Sequence, residues 1–178
     1  MSGSNSALAA AAYARSRAKR IEPQDLVLVH MNSYADGYWT DVTRTYVIGK
    51  PDDRRQQMFD AISAARQAAL NAIRPGVKAA DIDSAARNVL KARGFGPQFR
   101  HSTGHGVGFS AIDANEKPRL HPKSEDALEV GMVFNVEPAI YFEGYGGMRH
   151  CDMVAVTDSG AEVLTSFQSC LSDLAIGG

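Results

Sequence analysis

Apolar residues fall into two rhythms along this chain. Leu26-Val27-Leu28-Val29 is a continuous apolar run and predicts a buried strand. Asn32 to Gly37 collects turn formers, with Asp36-Gly37 at the tip of a hairpin. Thr40 to Ile48 is rich in β-branched and aromatic residues and predicts the partner strand. From Pro51-Asp52-Asp53 the rhythm changes. Met58, Ile62, Ala65, Ala69 and Ile73 lie three or four apart, the spacing of one helix face, until Pro75-Gly76 stops the pattern. Asp81 is placed to cap a second helix carrying Ile82, Ala85, Val89 and Leu90 and ending at Gly94. Beyond Gly94, short β runs return. Met132 to Val136 predicts a strand, Gly146-Gly147 a turn, Met148 to Val156 a strand, and Ser159-Gly160 a turn before Glu162 to Thr165.

Strands, two helices and strands again give an α+β fold, with helices on one face of a curved antiparallel sheet. No linker divides the 178 residues, so one domain over 1–178 is expected. Residues 1–6 are small and polar and are expected to fray. Ala9 to Ala12 is helical by propensity alone, and the basic Arg15, Arg17, Lys19 and Arg20 read as a solvated surface.

Composition narrows the class. Apolar residues are 44% and net charge is −1, which excludes a mainly disordered chain. No apolar run reaches the roughly 18–20 residues of a membrane span, and the start lacks a secretory pattern. The near balance of 19 basic and 20 acidic residues gives no reason to expect nucleic acid or an anionic membrane as partner. Cys151 and Cys170 read as reduced thiols of a cytoplasmic protein.

Polar residues inside apolar strands mark the candidate chemistry, because burying them costs free energy unless they are paired. Five positions stand out: His30, Asp41, His105, Glu137 and Cys151. Strand alternation puts Asp41 with Thr43 and Thr45, Asn135 with Glu137, and Arg149 with Cys151 and Met153, opposite His150 and Asp152. Such N, O and S donors could converge on a divalent metal of the zinc type. No C-x-x-C or H-E-x-x-H pattern accompanies them. The competing readings are satisfied core residues for His30 and Cys151, and salt bridges to Arg44 or Arg149 for Asp41 and Glu137. The glycines around His105 make a tight turn or a substrate-facing loop, since no Lys-Ser/Thr follows as in a phosphate loop. His101 precedes His105 by four residues and could face the same space, while His121 reads as surface.

Four ordered motifs carry a resemblance. They are Tyr38-x-x-Asp41-x-Thr43-Arg44-Thr45, His101-x-x-Gly104-His105-Gly106-x-Gly108, Gly131-Met132-Val133-Phe134-x-Val136-Glu137-Pro138 and Gly146-Gly147-x-Arg149-x-x-Asp152. Together they resemble the M24 metallopeptidases, the family of Xaa-Pro aminopeptidases, prolidases and methionine aminopeptidases. The resemblance spans about Ser4 to Phe167. It implies the pita-bread fold, with the site at the centre of a curved sheet and helices on its outer face. It also implies two metal ions held by Asp, Asp, His, Glu and Glu. Asp41, His105 and Glu137 match three of these ligands. His30 and Cys151 stand where the resemblance implies the first Asp and the second Glu. Ile112 stands in place of a catalytic His, and Ala11, Ala12 and Tyr13 occupy the place of a substrate-binding His. His101 matches an active-site His of proline-specific members, and Arg149 becomes a partner that orients a carboxylate.

The substitutions alter the expected centre. His30 offers one nitrogen where a carboxylate would bridge, and Cys151 a soft sulfur. One divalent ion or none is expected rather than two, with Zn²⁺ favoured over Mn²⁺ or Co²⁺. The implied function is hydrolysis of short peptides with a weakened metal centre. The alternatives are a metal-free C–N hydrolase using His105 and Glu137, as in creatinase-like relatives, and a non-catalytic binding module. The first half lacks the helices that the resemblance implies ahead of residue 1, so its sheet face is expected to be exposed or covered in a homo-oligomer.

Overall fold

The computed structural model describes residues 2–3, 18–110, 116–167 and 170–177. The expectations for Ala9 to Ala12, Tyr13, Arg15, Arg17 and Ile112 lie outside these residues. Ser2–Gly3, expected to fray, form a short strand β1. It pairs antiparallel with β2 (Leu26–Met31). Hairpin strands β3 (Tyr34–Ala35) and β4 (Tyr38–Trp39) follow. Asp36 and Gly37 between them both take positive φ, 50° and 91°, as a tight two-residue hairpin turn requires. Strand β5 (Val42–Ile48) then pairs antiparallel with β2, from Leu26 opposite Val47 to Met31 opposite Val42.

Helix α1 (Asp53–Ala72) starts where expected, with the Asp52 side chain accepting the Arg55 N–H at 2.8 Å. It buries Met58, Ala61, Ile62, Ala65 and Ala69. Helix α2 (Ala79–Ala92) begins two residues before Asp81, and the Lys78 side chain at its cap position makes no capping bond to the helix. Asp81 is therefore not the cap. It lies in the first turn, where a negative charge still favours the helix dipole. Gly94, at φ 82°, carries the chain out of the helix.

The second half contains β6 (Gly104–His105), β7 (Arg119–Leu120), β8 (Val133–Val136), β9 (Ala139–Phe142), β10 (Gly146–Arg149), β11 (Asp152–Thr157) and β12 (Gly160–Val163). Gly146-Gly147 is not a turn but the start of β10, paired with β9. The reversal comes just before, where Gly144 has φ 72°. The single strand expected over Met148 to Val156 is two strands, β10 and β11. The break has a physical cause in Thr45, whose hydroxyl donates to Arg149 O at 3.1 Å and accepts from Arg149 N at 3.0 Å. That side chain substitutes for a neighbouring strand at the end of β10 and lets the chain change direction.

Strands β8, β11 and β12 form one antiparallel sheet in the order β12-β11-β8. A last strand, β13 (Ala175–Ile176), runs parallel to β5, so the first sheet is not wholly antiparallel. The helices, Leu26 and Val47 from the first sheet, and Phe134, Val136, Val154 and Val156 from the second share one core. The opposite face of β2 and β5 is more open. Met31 is 57% exposed, and Val29, Val42 and Tyr46 are half-buried.

The two sheets meet at one antiparallel bridge. Thr43 N–H donates to Cys151 O at 3.2 Å, and Cys151 N–H donates to Thr43 O at 3.1 Å. Arg44 seals it, with Nη1 donating to both of these carbonyls at 2.8 Å. Its Nη2 pairs with Asp152 Oδ1 at 2.6 Å, and Arg66 of α1 reaches Asp152 Oδ2 at 2.5 Å. Asp152 is fully buried, with His150 Nε2 a further neighbour at 3.1 Å. These pairings hold its carboxyl well below the usual carboxylate range despite burial, which works to raise it. Replacing Asp152 by Asn takes from the buried Arg44 guanidinium, and from the partly buried Arg66, the carboxylate they share. We expect D152N to lose about 3–5 kcal/mol of stability in urea unfolding.

Candidate active site

The five polar positions singled out in separate strands converge. Asp41 sits just before β5 and is almost fully buried, at 1% exposure. Its Oδ1 lies 3.4 Å from His30 Nδ1 and 3.4 Å from Cys151 Sγ. Its Oδ2 lies 3.5 Å from His105 Nε2. His105 Nε2 in turn lies 3.9 Å from Glu137 Oε1, and Glu137 Oε2 lies 3.4 Å from Arg149 Nη1. Arg149 Nη2 is 3.1 Å from His30 Nδ1, which closes the ring of contacts.

Local structure fixes each member. His30, next to last in β2, lies opposite Thr43, whose hydroxyl is 2.9 Å from His30 Nδ1. His105 follows Gly104, where any Cβ would come within 1.9 Å of Asn135 O, so only glycine lets β6 approach β8. Glu137 follows directly on β8, with its N–H donated to Thr103 O at 2.7 Å. His101 joins through a second contact, with Nε2 3.1 Å from the Tyr141 hydroxyl. The salt-bridge alternative holds for Glu137 with Arg149. It does not hold for Arg44, which is taken by Asp152.

Two residues matter more than the sequence suggested. Asn135 Oδ1 accepts the His105 N–H at 2.7 Å, which turns its Nδ2 toward Asp41 Oδ2 at 3.1 Å and His105 Nε2 at 3.0 Å. Its signal was present, a fully buried amide two residues before Glu137 on the same strand face. Tyr141 gave none, since an aromatic residue in a strand reads as core.

The electrostatics follow from burial and charge together. Burial pushes Glu137 up to about 7, with Arg149 opposing and Asp41 adding to the rise. Burial works to lower His105, but its bond to Asp41, its bond to Gly106 O and the charge of Glu137 outweigh that and raise it. Burial would raise Asp41, yet its bond to His105, with the Arg149 charge adding, brings it below its ordinary value. Burial lowers His30, and lowers His101 to about 4, so both are neutral at pH 7. Burial and the Asp41 charge push the Cys151 thiol well up.

This donor set does not fit a pair of metal ions. The Cys151 S–H donates a hydrogen bond to the Asp41 backbone carbonyl, with Sγ 3.1 Å from Asp41 O. His30 Nδ1 faces Thr43 and the Arg149 guanidinium. Neither replaces an anionic oxygen that could bridge two cations. Among the described residues, no group of three or more His, Cys, Asp or Glu side chains is arranged to hold an ion as it stands. The nearest donors for one ion would be Asp41, His105 and Glu137.

Comparisons with known proteins agree with the motifs. The sequence model of metallopeptidase family M24 matches residues 1–158. The chain is 40% identical over 147 residues to an Xaa-Pro dipeptidase of Pyrococcus furiosus, a match that covers 83% of this chain and 41% of the relative. The crystal structure of dipeptidase PepE from Mycobacterium ulcerans superposes with a TM-score of 0.91 at 37% identity, over 99% of this chain and 46% of that one. The prolidase from Pyrococcus furiosus gives a TM-score of 0.89 at 36% identity, over 95% of this chain and 49% of that one. The chain therefore spans less than half the length of these relatives.

The raised Glu137 has a measurable consequence. An acid whose folded pKa lies above its unfolded value binds more protons when folded, so it costs stability as pH rises from about 4.5 to about 7. In chelator-containing buffer, Glu137→Gln is expected to remove that decline, a difference on the order of 3 kcal/mol between the two ends of the range. Urea unfolding of both proteins at several pH values checks it.

Proposed function

Because the chain belongs to metallopeptidase family M24, we propose that it forms the hydrolytic part of a peptidase for short peptides of the Xaa-Pro kind, with its centre at Asp41, His105, Glu137 and Arg149. The observation that carries this reading is the contact between His105 and Glu137, 3.9 Å apart, each held by a charged partner on its far side. Xaa-Pro dipeptides are the substrates named for the relatives, and His101 at its matching position supports that class.

The residues suit amide hydrolysis. Glu137, poised near pH 7, accepts a proton from an attacking water. Its neighbour His105, kept basic by Asp41, gives a proton to the departing amine nitrogen. Arg149, 6% exposed and with Nη1 3.4 Å from Glu137 Oε2, supplies a positive charge beside the centre that favours negative charge as it develops on oxygen. His101, neutral and fixed by Tyr141, presents a ring edge to the bound peptide.

A panel of Xaa-Pro dipeptides tests the proposal. The chain is expected to cleave at least one, with kcat rising as pH passes about 7 and with Glu137→Gln lowering kcat/KM about 10²–10⁴-fold. A folded chain that binds these dipeptides and cleaves none would favour the binding-module reading. The replaced positions at His30 and Cys151 are the observation behind that second reading.

A further inference from the structure

We infer that Asp83 and Arg87 of helix α2 are positioning residues for the proposed centre, holding His101 on one side and Glu137 on the other from outside the pocket; this rests on the hydrolase reading for its kinetics but not for its spectroscopy. Helix α2 buries Ala79, Ile82, Ala86 and Leu90, and Asp83 lies among them, a carboxylate at 0% exposure. A buried carboxylate persists only where donors replace its lost water. Among the described residues four donors reach it. Arg87, one turn along the helix, pairs with both oxygens, Nε with Oδ2 at 2.8 Å and Nη2 with Oδ1 at 2.9 Å. The Thr103 N–H and hydroxyl both donate to Oδ1, at 3.0 Å and 2.9 Å.

From this pair one line of contacts runs to His101. Arg87 Nη1 donates to Phe99 O at 3.2 Å, and Nη2 donates to His101 O at 2.9 Å. The guanidinium carbon lies 4.4 Å from the centroid of the Phe99 ring, and the His101 ring meets Phe99 at 75° with centroids 5.2 Å apart. The neutral His101 ring then donates from Nδ1 to Ser102 O at 2.8 Å, which leaves Nε2 to accept from the Tyr141 hydroxyl at 3.1 Å. The second line runs to Glu137. Thr103, bound to Asp83 by its N–H and hydroxyl, accepts the Glu137 N–H on its carbonyl at 2.7 Å. Apolar residues of similar volume could fasten α2 to the sheet as firmly. The bidentate pair instead fixes direction, which apolar packing does less sharply. Direction matters here, because misplacing a reacting group by about 1 Å can cost on the order of 10²-fold in rate.

Histidine-ring ¹⁵N–¹H NMR at pH 7, with His101→Gln to assign the resonances, reads the first line without turnover. The parent is expected to show one neutral His101 tautomer, protonated at Nδ1. Arg87→Lys keeps the charge beside Asp83 but cannot also reach both carbonyls and lie flat on Phe99. It is expected to give a second His101 tautomer, with the resonances of His121 unchanged. On an Xaa-Pro dipeptide that the parent cleaves, Arg87→Lys is expected to raise KM about tenfold with kcat within about twofold. Thr103→Val, which deletes the hydroxyl, is expected to lower kcat about tenfold with KM little changed. Phe99→Leu and Thr103→Ala stand in for either variant that fails to fold by far-UV circular dichroism. A purely structural pair would lower the urea midpoint of the variants and leave the His101 tautomer, KM and kcat of the folded protein as in the parent, and that result overturns the inference. A parent that cleaves no dipeptide, with the tautomer change present in Arg87→Lys, counts against the hydrolase reading and supports the placement of His101 by Arg87.

Discussion

One buried arginine holds the arrangement together. Arg44 donates to both carbonyls of the Thr43–Cys151 bridge and pairs with Asp152 beside it. The bridge joins the sheet of β2 and β5 to the sheet of β8, β11 and β12, and Arg66 ties the same carboxylate to α1. A slip of one residue at this junction would turn Asp41 and Cys151 away from each other, because strand faces alternate. The charge cluster on the far side of the strand therefore fixes the register of the site without entering it. Asp152 could be buried only with such partners, and their number explains why its carboxylate stays ionised.

Much of this was legible in the sequence, for identifiable reasons. The strand at Leu26 and the helix from Asp53 announced themselves by unbroken apolar runs and by three-and-four spacing. The five convergent residues were visible because each is polar in an apolar strand. The failures share a cause, tertiary contacts that override local pattern. Gly146-Gly147 has the composition of a turn but pairs in β10, since the hairpin reverses at Gly144. Met148 to Val156 reads as one strand because its break is imposed by Thr45, about a hundred residues away in sequence. Asp81 has the look of a cap, but the chain enters α2 earlier, where Ala79 N–H is taken by Asp126 O at 2.8 Å. Tyr141 carried no sequence signal because its role depends on where His101 lies.

The centre itself is a balance of neutral and charged partners. His30, His101 and the Cys151 thiol are held neutral by burial, so the fixed charges are few and close together: Asp41, Glu137 when ionised, His105 when protonated, and Arg149. Asp41 has its partner in His105 from the other half of the chain, and Glu137 has its own in Arg149 at the end of β10. The positions of these four side chains set the protonation of the cluster.

The account rests on Asp41 from the first half and His105 from the second meeting in one cluster. A double-mutant cycle with Asp41→Asn and His105→Gln, read by urea unfolding at pH 6, measures that meeting directly. Contact predicts a coupling energy of roughly 0.5–3 kcal/mol. Effects that add to within about 0.3 kcal/mol would show that the two side chains do not interact, and would contradict the convergence of the two halves on a single site.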